Sequence, residues 1–257
     1  DSYEEIQSMP FEIINPAGKA NIILISEHAS NHVPDQFNNL GLTDHQLSLH
    51  IALDIGIGNV TRALALMLDA PAIIAQFSRL IIDANRALDQ EGLIPQISDG
   101  HHIFENQNLT KTAIDDRINN YHTPFHQGAD QLIKTKATQN AAPMILNLHS
   151  FTPVMDGQIR PWQAGMLWHK DPRLANALNQ KLSQRGFMVG DNKPYSGAEL
   201  NHTMNSHGCH HGYPHVNIEI RQDLIDHQEG VEKWAEILAA DLKAIRTMPE
   251  MADIKHY

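Results

Sequence analysis

The stretch Asn21–Pro34, Asn-Ile-Ile-Leu-Ile-Ser-Glu-His-Ala-Ser-Asn-His-Val-Pro, constrains the fold more than any other part of the chain. Its unbroken apolar run, Ile22–Ile25, fits a strand buried on both faces, as in a parallel sheet. The run ends in Ser26, Glu27, His28, Ser30, Asn31 and His32. Ligands of open α/β sheets bind just beyond the carboxyl ends of such strands. Taken alone, these polar residues mark either a site or a loop that merely leaves the sheet.

Further short apolar runs follow the same plan. Ala72–Ala75, Leu80–Ile82, Met144–Leu148, Ala164–Trp168, Phe187–Val189 and Val216–Ile220 read as strands. Helical patterns alternate with them. Thr43 and Gln46 have the form of a capping box, and the helix they open is expected to carry His50 and Asp54 on one face at i, i+4. Gly56 and Gly58 should bend it before Val60–Leu68 resumes. Thr110–Ala137 reads as helix, divided by Pro124 near Tyr121-His122-Thr123. Asp171-Pro172 opens another helix that Gly186 closes, and Gly230–Ile245 is an amphipathic closing helix. Residues 87–109 have no clear period, and a functional loop or lid is expected there. Nothing separates two domains. The reading is one domain over 1–257, a three-layer α/β/α with a mixed, mostly parallel sheet and loose ends at 1–10 and 247–257.

The chain of 257 residues has a net charge of -11, which argues against nucleic acid and anionic membranes as partners. No apolar run reaches the roughly 20 residues of a membrane span. The start, Asp1-Ser2-Tyr3-Glu4-Glu5, has neither the basic nor the apolar part of a signal peptide. A single cysteine, Cys209, allows no intrachain disulfide, so the cytoplasm is the expected compartment. Histidine stands out: there are 17.

Four strands deliver polar residues at their ends: His28, Asn85 with Arg86, His149, and Glu219. Singly, each has a structural reading, such as a satisfied buried histidine, an Asp83–Arg86 ion pair, or a Glu219–Arg221 pair. Their joint placement favours a site. Catalytic zinc is held by about three His or carboxylate ligands, with a position left for water. The metal brings that water's pKa to about 7 and polarises a carbonyl, while a carboxylate off the metal moves the proton. His28, Asp54 and His149 are the expected ligands of one zinc, or another divalent ion, per chain. Glu219 is the expected base and Arg86 the clamp for a substrate carboxylate. Arg79, Arg160 and Arg221 are further candidates for binding carboxylates.

Several of these segments together resemble the N-formylglutamate amidohydrolase family. They are Glu27-His28-Ala29-Ser30-Asn31-His32-Val33-Pro34, His50 with Asp54-Ile55-Gly56, Ser78–Arg86, His149-Ser150-Phe151-Thr152-Pro153 and Ile218–Leu224. The resemblance runs from about Ile22 to the closing helix. It implies a phosphorylase/hydrolase-like α/β fold akin to zinc carboxypeptidases, and hydrolysis of N-formylglutamate to formate and glutamate. The small-molecule partner would then be an acidic N-acyl amino acid. Asp83-Ala84-Asn85-Arg86 is also similar to the Asp-Leu-Asn-Arg motif of the aspartoacylase and succinylglutamate desuccinylase group, where the Asn and Arg bind substrate. This assigns Asn85 and Arg86 to substrate, with Arg86 also available to the oxyanion. Asn147-Leu148-His149-Ser150 resembles the segment carrying that group's last zinc histidine, and Glu219 falls where its catalytic glutamate is expected.

One position departs from the distant relatives, which have a glutamate three residues after the first histidine; Asn31 stands there in this chain. Asp54 is therefore taken as the second ligand, with His32, Glu27 and His50 as alternatives. The segment with Thr203, His207, His210, His211 and His215 invites a second metal but matches no metal spacing, and is expected to be an active-site rim or surface loop. Cys209 as a nucleophile is disfavoured. Three functions remain open at this point: a zinc-dependent amidohydrolase acting on a linear amide, a zinc peptidase or peptidoglycan amidase, and a non-catalytic carboxylate-binding relative.

Overall fold

A computed structural model describes residues 9–137 and 141–257. Its centre is a seven-stranded sheet: β1 (Phe11–Ile14), β2 (Ile22–Ser26), β3 (Ala72–Ala75), β4 (Met144–Phe151), β5 (Ala164–Leu167), β6 (Val189–Asp191) and β7 (His215–Arg221). The spatial order is β1-β3-β2-β4-β7-β5-β6. The four central strands, β3, β2, β4 and β7, are mutually parallel. β1 runs antiparallel on β3, and β5 antiparallel on β7. The sheet is thus mixed and mostly parallel, within one α/β domain.

The helices are α1 (Asp44–Leu47), α2 (Ile57–Leu68), α3 (Lys111–Arg117), α4 (Thr123–Lys134), α5 (Arg173–Gln184), α6 (His202–His207) and α7 (Gln228–Ile245). Alternation along the strands explains why two apolar layers form. Ile22 and Leu24 of β2, Met144, Leu146 and Leu148 of β4, and Val216, Ile218 and Ile220 of β7 pack with α2, α5 and α7. Ile23, Ile25 and Ile145 point the other way, toward Phe77, Phe125 and Leu132. Each such fully buried side chain contributes about 1.5–3 kcal/mol. On that second face the alternating positions of β4 and β7 turn polar: Asn147 and His149 stand beside Asn217 and Glu219 in register. The apolar face holds the sheet together, and the other face is freed for chemistry.

Strand order places the site. From β2 the chain crosses to β3 on one side, then returns to β4 on the other side of β2. That reversal opens a crevice between the carboxyl ends of β2 and β4, where α/β sheets bind ligands. His28 follows β2, and His149 lies near the end of β4.

Several elements differ from the sequence expectation. The Thr43 capping box is present, but α1 ends at Leu47. There Ser48 Oγ donates to His45 O at 2.7 Å, a local bond that competes with helix continuation. His50 and Asp54 consequently lie on the following turns rather than on a helix face. Leu80–Ile82 is buried but forms turns, with Ile81 N–H bonded to Ser78 O. Pro124 does not break its helix, because Ile118–His122 is a π-helical turn in which Thr123 N–H reaches back to Ile118 O. The wide turn absorbs the proline. The last edge strand is Val189–Asp191 rather than Phe187–Val189. β1 and α6 are additions to the expected elements.

Of the ends expected to be loose, residues 1–8 lie outside the described residues. The other end is tied down: Ala142 N–H bonds to Ala252 O and Lys255 N–H to Gly212 O, while Arg173 donates to Glu250 O and Asp253 O. Among the described residues no helix is long and apolar enough to cross a membrane.

Candidate active site

The crevice encloses a cavity of about 220 Å³ whose lining includes His28, Asp54, Asn85, Arg86, His149 and Glu219. Asp54 enters from the turn before α2. Its N–H bonds to His28 O at 2.8 Å, which fixes the carboxylate over the strand ends. Gly56 follows at φ +79°, and a Cβ there would stand 2.0 Å from Ile225 O, so only glycine lets this turn sit so close.

Asp54 Oδ2 lies 2.8 Å from His149 Nδ1 and 3.5 Å from His28 Nδ1. Each of the three side chains offers one donor atom within 4.8 Å of the others. The far nitrogens are also addressed. His28 Nε2 is 2.7 Å from Asp83 Oδ1, and His149 Nε2 is 3.5 Å from Glu27 Oε1. Glu27 is itself held by Asn147 Nδ2 at 2.9 Å and by the Thr203 hydroxyl at 2.7 Å. Arg79 bridges the carboxylates, donating to Asp54 Oδ1 at 3.2 Å and Asp83 Oδ2 at 2.9 Å. His28 thus has its outer nitrogen held by a carboxylate, the usual form of metal-binding histidine, while His149 Nε2 faces Glu27 without a hydrogen bond.

The electrostatics follow from this packing. Burial disfavours charge on every member, yet the pairs overcome it. Asp83 and Asp54 raise the pKa of His28 against burial and Arg79. Glu27 and Asp54 raise that of His149 well above the ordinary value. In return His149, His28 and Thr203 hold Glu27 down to about 2 despite burial. Burial likewise opposes ionisation of Asp54 and Asp83, but His28 with His149, and His28 with Arg79, keep both carboxylates well below their usual range. Glu219 is the contrast: burial pushes it up to about 7, and its Oε2 lacks a hydrogen-bond partner among the described residues. Four buried carboxylates, Glu27, Asp54, Asp83 and Glu219, thus gather around the two imidazoles, with Arg79 and Arg86 paired to Asp54 and Asp83. A site so charged, with a His₂Asp donor set, fits a divalent cation.

The expected residues separate into those brought together and those left apart. His28, Asp54, His149, Glu219, Asn85, Arg86 and Arg79 line the cavity. Arg79, expected at a substrate carboxylate, spends its fork on Asp54 and Asp83 instead. Arg86 approaches Asp83 only to 3.8 Å. Asn85 Oδ1 accepts from Thr203 N–H at 3.0 Å. Arg160 sits behind the wall, donating to the Tyr195 hydroxyl at 2.9 Å and stacking over the Tyr195 ring. Arg221 points away and pairs with Asp223 at 2.8 Å. His50 pairs with Asp99 on the rim at 3.0 Å, and His32 is exposed. Asn31 is also turned outward, its amide donating to Leu47 O. Asp83 carries more than the ion pair read from the sequence, since it holds His28 as well. Thr203, expected on an active-site rim or surface loop, reaches inward to Glu27 and Asn85, while nothing in the sequence assigned Asn147 or Tyr195 to the site.

The sequence profile of the N-formylglutamate amidohydrolase family matches residues 20–226, most of the chain. The chain belongs to this family. Among solved structures it is similar to the gene product Atu2144 from Agrobacterium tumefaciens, at 30% identity and a TM-score of 0.91, covering 96% of this chain and 98% of that one. It is also similar in fold to the N-formylglutamate amidohydrolase from Ralstonia eutropha JMP134, at 18% identity and a TM-score of 0.60, covering 94% and 98%. No curated protein matches the sequence. Membership of the family makes the protein a hydrolase of the N-formylglutamate amidohydrolase type, with a small-molecule substrate.

Proposed function

We propose that the protein hydrolyses the amide bond of a small N-acyl acidic amino acid, N-formylglutamate first among them, with one zinc ion held by His28, Asp54 and His149. The observation that carries this reading is that His28, Asp54 and His149 each offer a donor atom within 4.8 Å of the others, with Asp54 Oδ2 at 3.5 Å from His28 Nδ1 and 2.8 Å from His149 Nδ1, beside a buried Glu219, in a chain of this family. When bound, zinc lowers the pKa of a water to about 7 and polarises a carbonyl oxygen.

Asp83 orients the His28 imidazole by its outer nitrogen, Glu27 sets a negative charge beside the outer nitrogen of His149, and Arg79 holds Asp54 and Asp83 in place. Glu219, next to His149 in the sheet register, accepts the proton of the attacking water. It returns that proton to the amine nitrogen as the C–N bond breaks, giving formate and the free amino acid. Arg86 binds a substrate carboxylate and Asn85 assists from the same segment. The cavity, about 220 Å³, is at the small end for ligand sites and favours a short acyl group over a peptide.

The discriminating experiment measures hydrolysis of N-formylglutamate, N-formylleucine and acyl-dipeptides by the purified protein. The expected order of kcat/KM places N-formylglutamate first. A preference for the peptides would replace this reading with a peptidase.

A further inference from the structure

A second group of histidines meets on the far side of the Asp83–Arg86 segment. His122 comes from the π-helical turn and His126 from α4, while His202 and His207 come from α6. Here the fold brings together residues some 80 positions apart, which is why no local spacing announces them. His122, His126 and His202 each offer a ring nitrogen within 4.8 Å of the others. The ring centroids of His122 and His126 are 4.5 Å apart, those of His126 and His202 5.2 Å, and those of His126 and His207 5.1 Å.

Three of the four rings are anchored by one nitrogen to an oxygen. His122 Nε2 donates to Arg86 O at 2.9 Å, and His126 Nε2 to Ala84 O at 2.8 Å. His207 Nδ1 meets Asp130 Oδ1 at 2.8 Å. A carbonyl or carboxylate on the outer nitrogen fixes the tautomer and turns the other lone pair inward, as it does for metal-binding histidines. The remaining nitrogens of His126 and His207 then face each other at 2.8 Å. With both outer nitrogens donating, the two inner lone pairs clash unless one positive charge sits between them. That charge is either an extra proton or a cation. Burial and the neighbouring imidazoles hold His126 down to about 3, and burial also lowers His122 and His202. These rings are therefore neutral at pH 7 and offer the lone pairs that a metal needs.

We propose that His122, His126 and His202 form a second site for a zinc-like divalent ion, separate from the cavity, with His207, which meets His126 but lies outside that 4.8 Å group, moving in as the fourth donor. An all-imidazole set suits zinc among the common divalent ions. Two zinc–nitrogen bonds of about 2.0–2.1 Å place tetrahedral nitrogens about 3.3 Å apart, so the His126–His207 contact opens slightly as the ion replaces the proton. The anchoring oxygens belong to Ala84 and Arg86, the backs of the residues that present Asp83, Asn85 and Arg86 to the cavity. Thr203 of α6 reaches Glu27 and Asn85. A metal here would clamp α4, α6 and that segment together, which is a structural role.

The test is a metal count on full-length protein stripped with chelator, loaded with zinc, and desalted. The variants are H202N, whose ring is half-exposed, H122N, and H149N from the cavity site. Wild type is expected to hold two zinc ions per chain, with H202N and H122N each losing one ion. H149N should lose the other ion, and its remaining ion should disappear when H202N is added. Cobalt(II) loading should show an absorption band that H202N removes and H149N leaves. Thermal unfolding of the metal-free variants checks that H202N is folded. A zinc count unchanged by both H202N and H122N overturns the proposal, whatever the total. A count that H149N leaves unchanged while H202N still removes one ion speaks against the cavity site and leaves this one standing, so the two assignments fail separately.

Discussion

The two histidine clusters share one short segment, Asp83–Arg86, yet their rings are pushed in opposite directions. In the cavity, His28 and His149 are met by Asp54, Asp83 and Glu27, and their pKa values rise. Behind the segment, His122 and His126 are met by the carbonyls of Arg86 and Ala84 and by one another, and their pKa values fall. Burial opposes charge in both places. What differs for these rings is the oxygen beside the outer nitrogen, a carboxylate at His28 and His149 and a carbonyl at His122 and His126, while His207 of the second cluster is met by the Asp130 carboxylate. The same side chain therefore serves two ends. On the two proposals made above, the carboxylate-backed pair would serve a strongly charged, reactive centre and the carbonyl-backed rings a neutral, structural one.

The largest expected effect comes from the residue that has no counterpart in the second cluster. Glu219→Gln should leave zinc bound in the cavity and lower kcat about 10²–10⁴-fold, the usual contribution of a positioned acid–base group. Normal turnover would remove Glu219 from its role. Next comes the outer carboxylate itself. Asp83→Asn should weaken the cavity zinc about 10–100-fold, read by competition with a chelator, while the metal at His122, His126 and His202 stays. Equal weakening of both would mean that Asp83 only holds the segment's shape.

The subtlest effect is in the metal-free protein, where NMR pH titration of the ring protons should separate the clusters. His28 and His149 are expected to stay protonated above about 6.5, the ordinary value, and His126 to remain neutral well below it. The linked stability has opposite signs. The cavity pair stabilises most below the unfolded value and loses its contribution as pH rises through its raised pKa values. His126 contributes above the unfolded value and loses it as pH falls toward about 3. A single common transition near 6.5 would erase the distinction.

How far the sequence revealed this arrangement depends on the range of each interaction. The apolar runs of β2, β3 and β4 were legible because burial on both faces leaves a continuous signal. His28, His149 and Glu219 were legible for the same reason, as polar residues interrupting or ending such runs. β1 was not, since Phe-Glu-Ile-Ile pairs along one edge and carries no such run. Leu80–Ile82 looked like a strand because buried turns can be as apolar as strands. Asp54, read as the second metal ligand on a helix, does lie beside His28 and His149, but a turn closed by Gly56 carries it. The second cluster was hidden by distance, its members lying on the π-helical turn, α4 and α6. The pairing of Asn147 with Asn217 was open to sequence reading. Leu146-Asn147-Leu148-His149 and Val216-Asn217-Ile218-Glu219 alternate with the same period, and a period of two sets the polar members on one face.

The most direct test of the cavity assignment joins metal content to turnover. Protein dialysed against chelator is expected to lose N-formylglutamate hydrolysis completely. Zinc returned in measured steps should restore it in proportion to the ion bound at His28, Asp54 and His149, and Asp54→Asn should take up less zinc and recover little. Hydrolysis that persists after complete removal of metal would contradict the account.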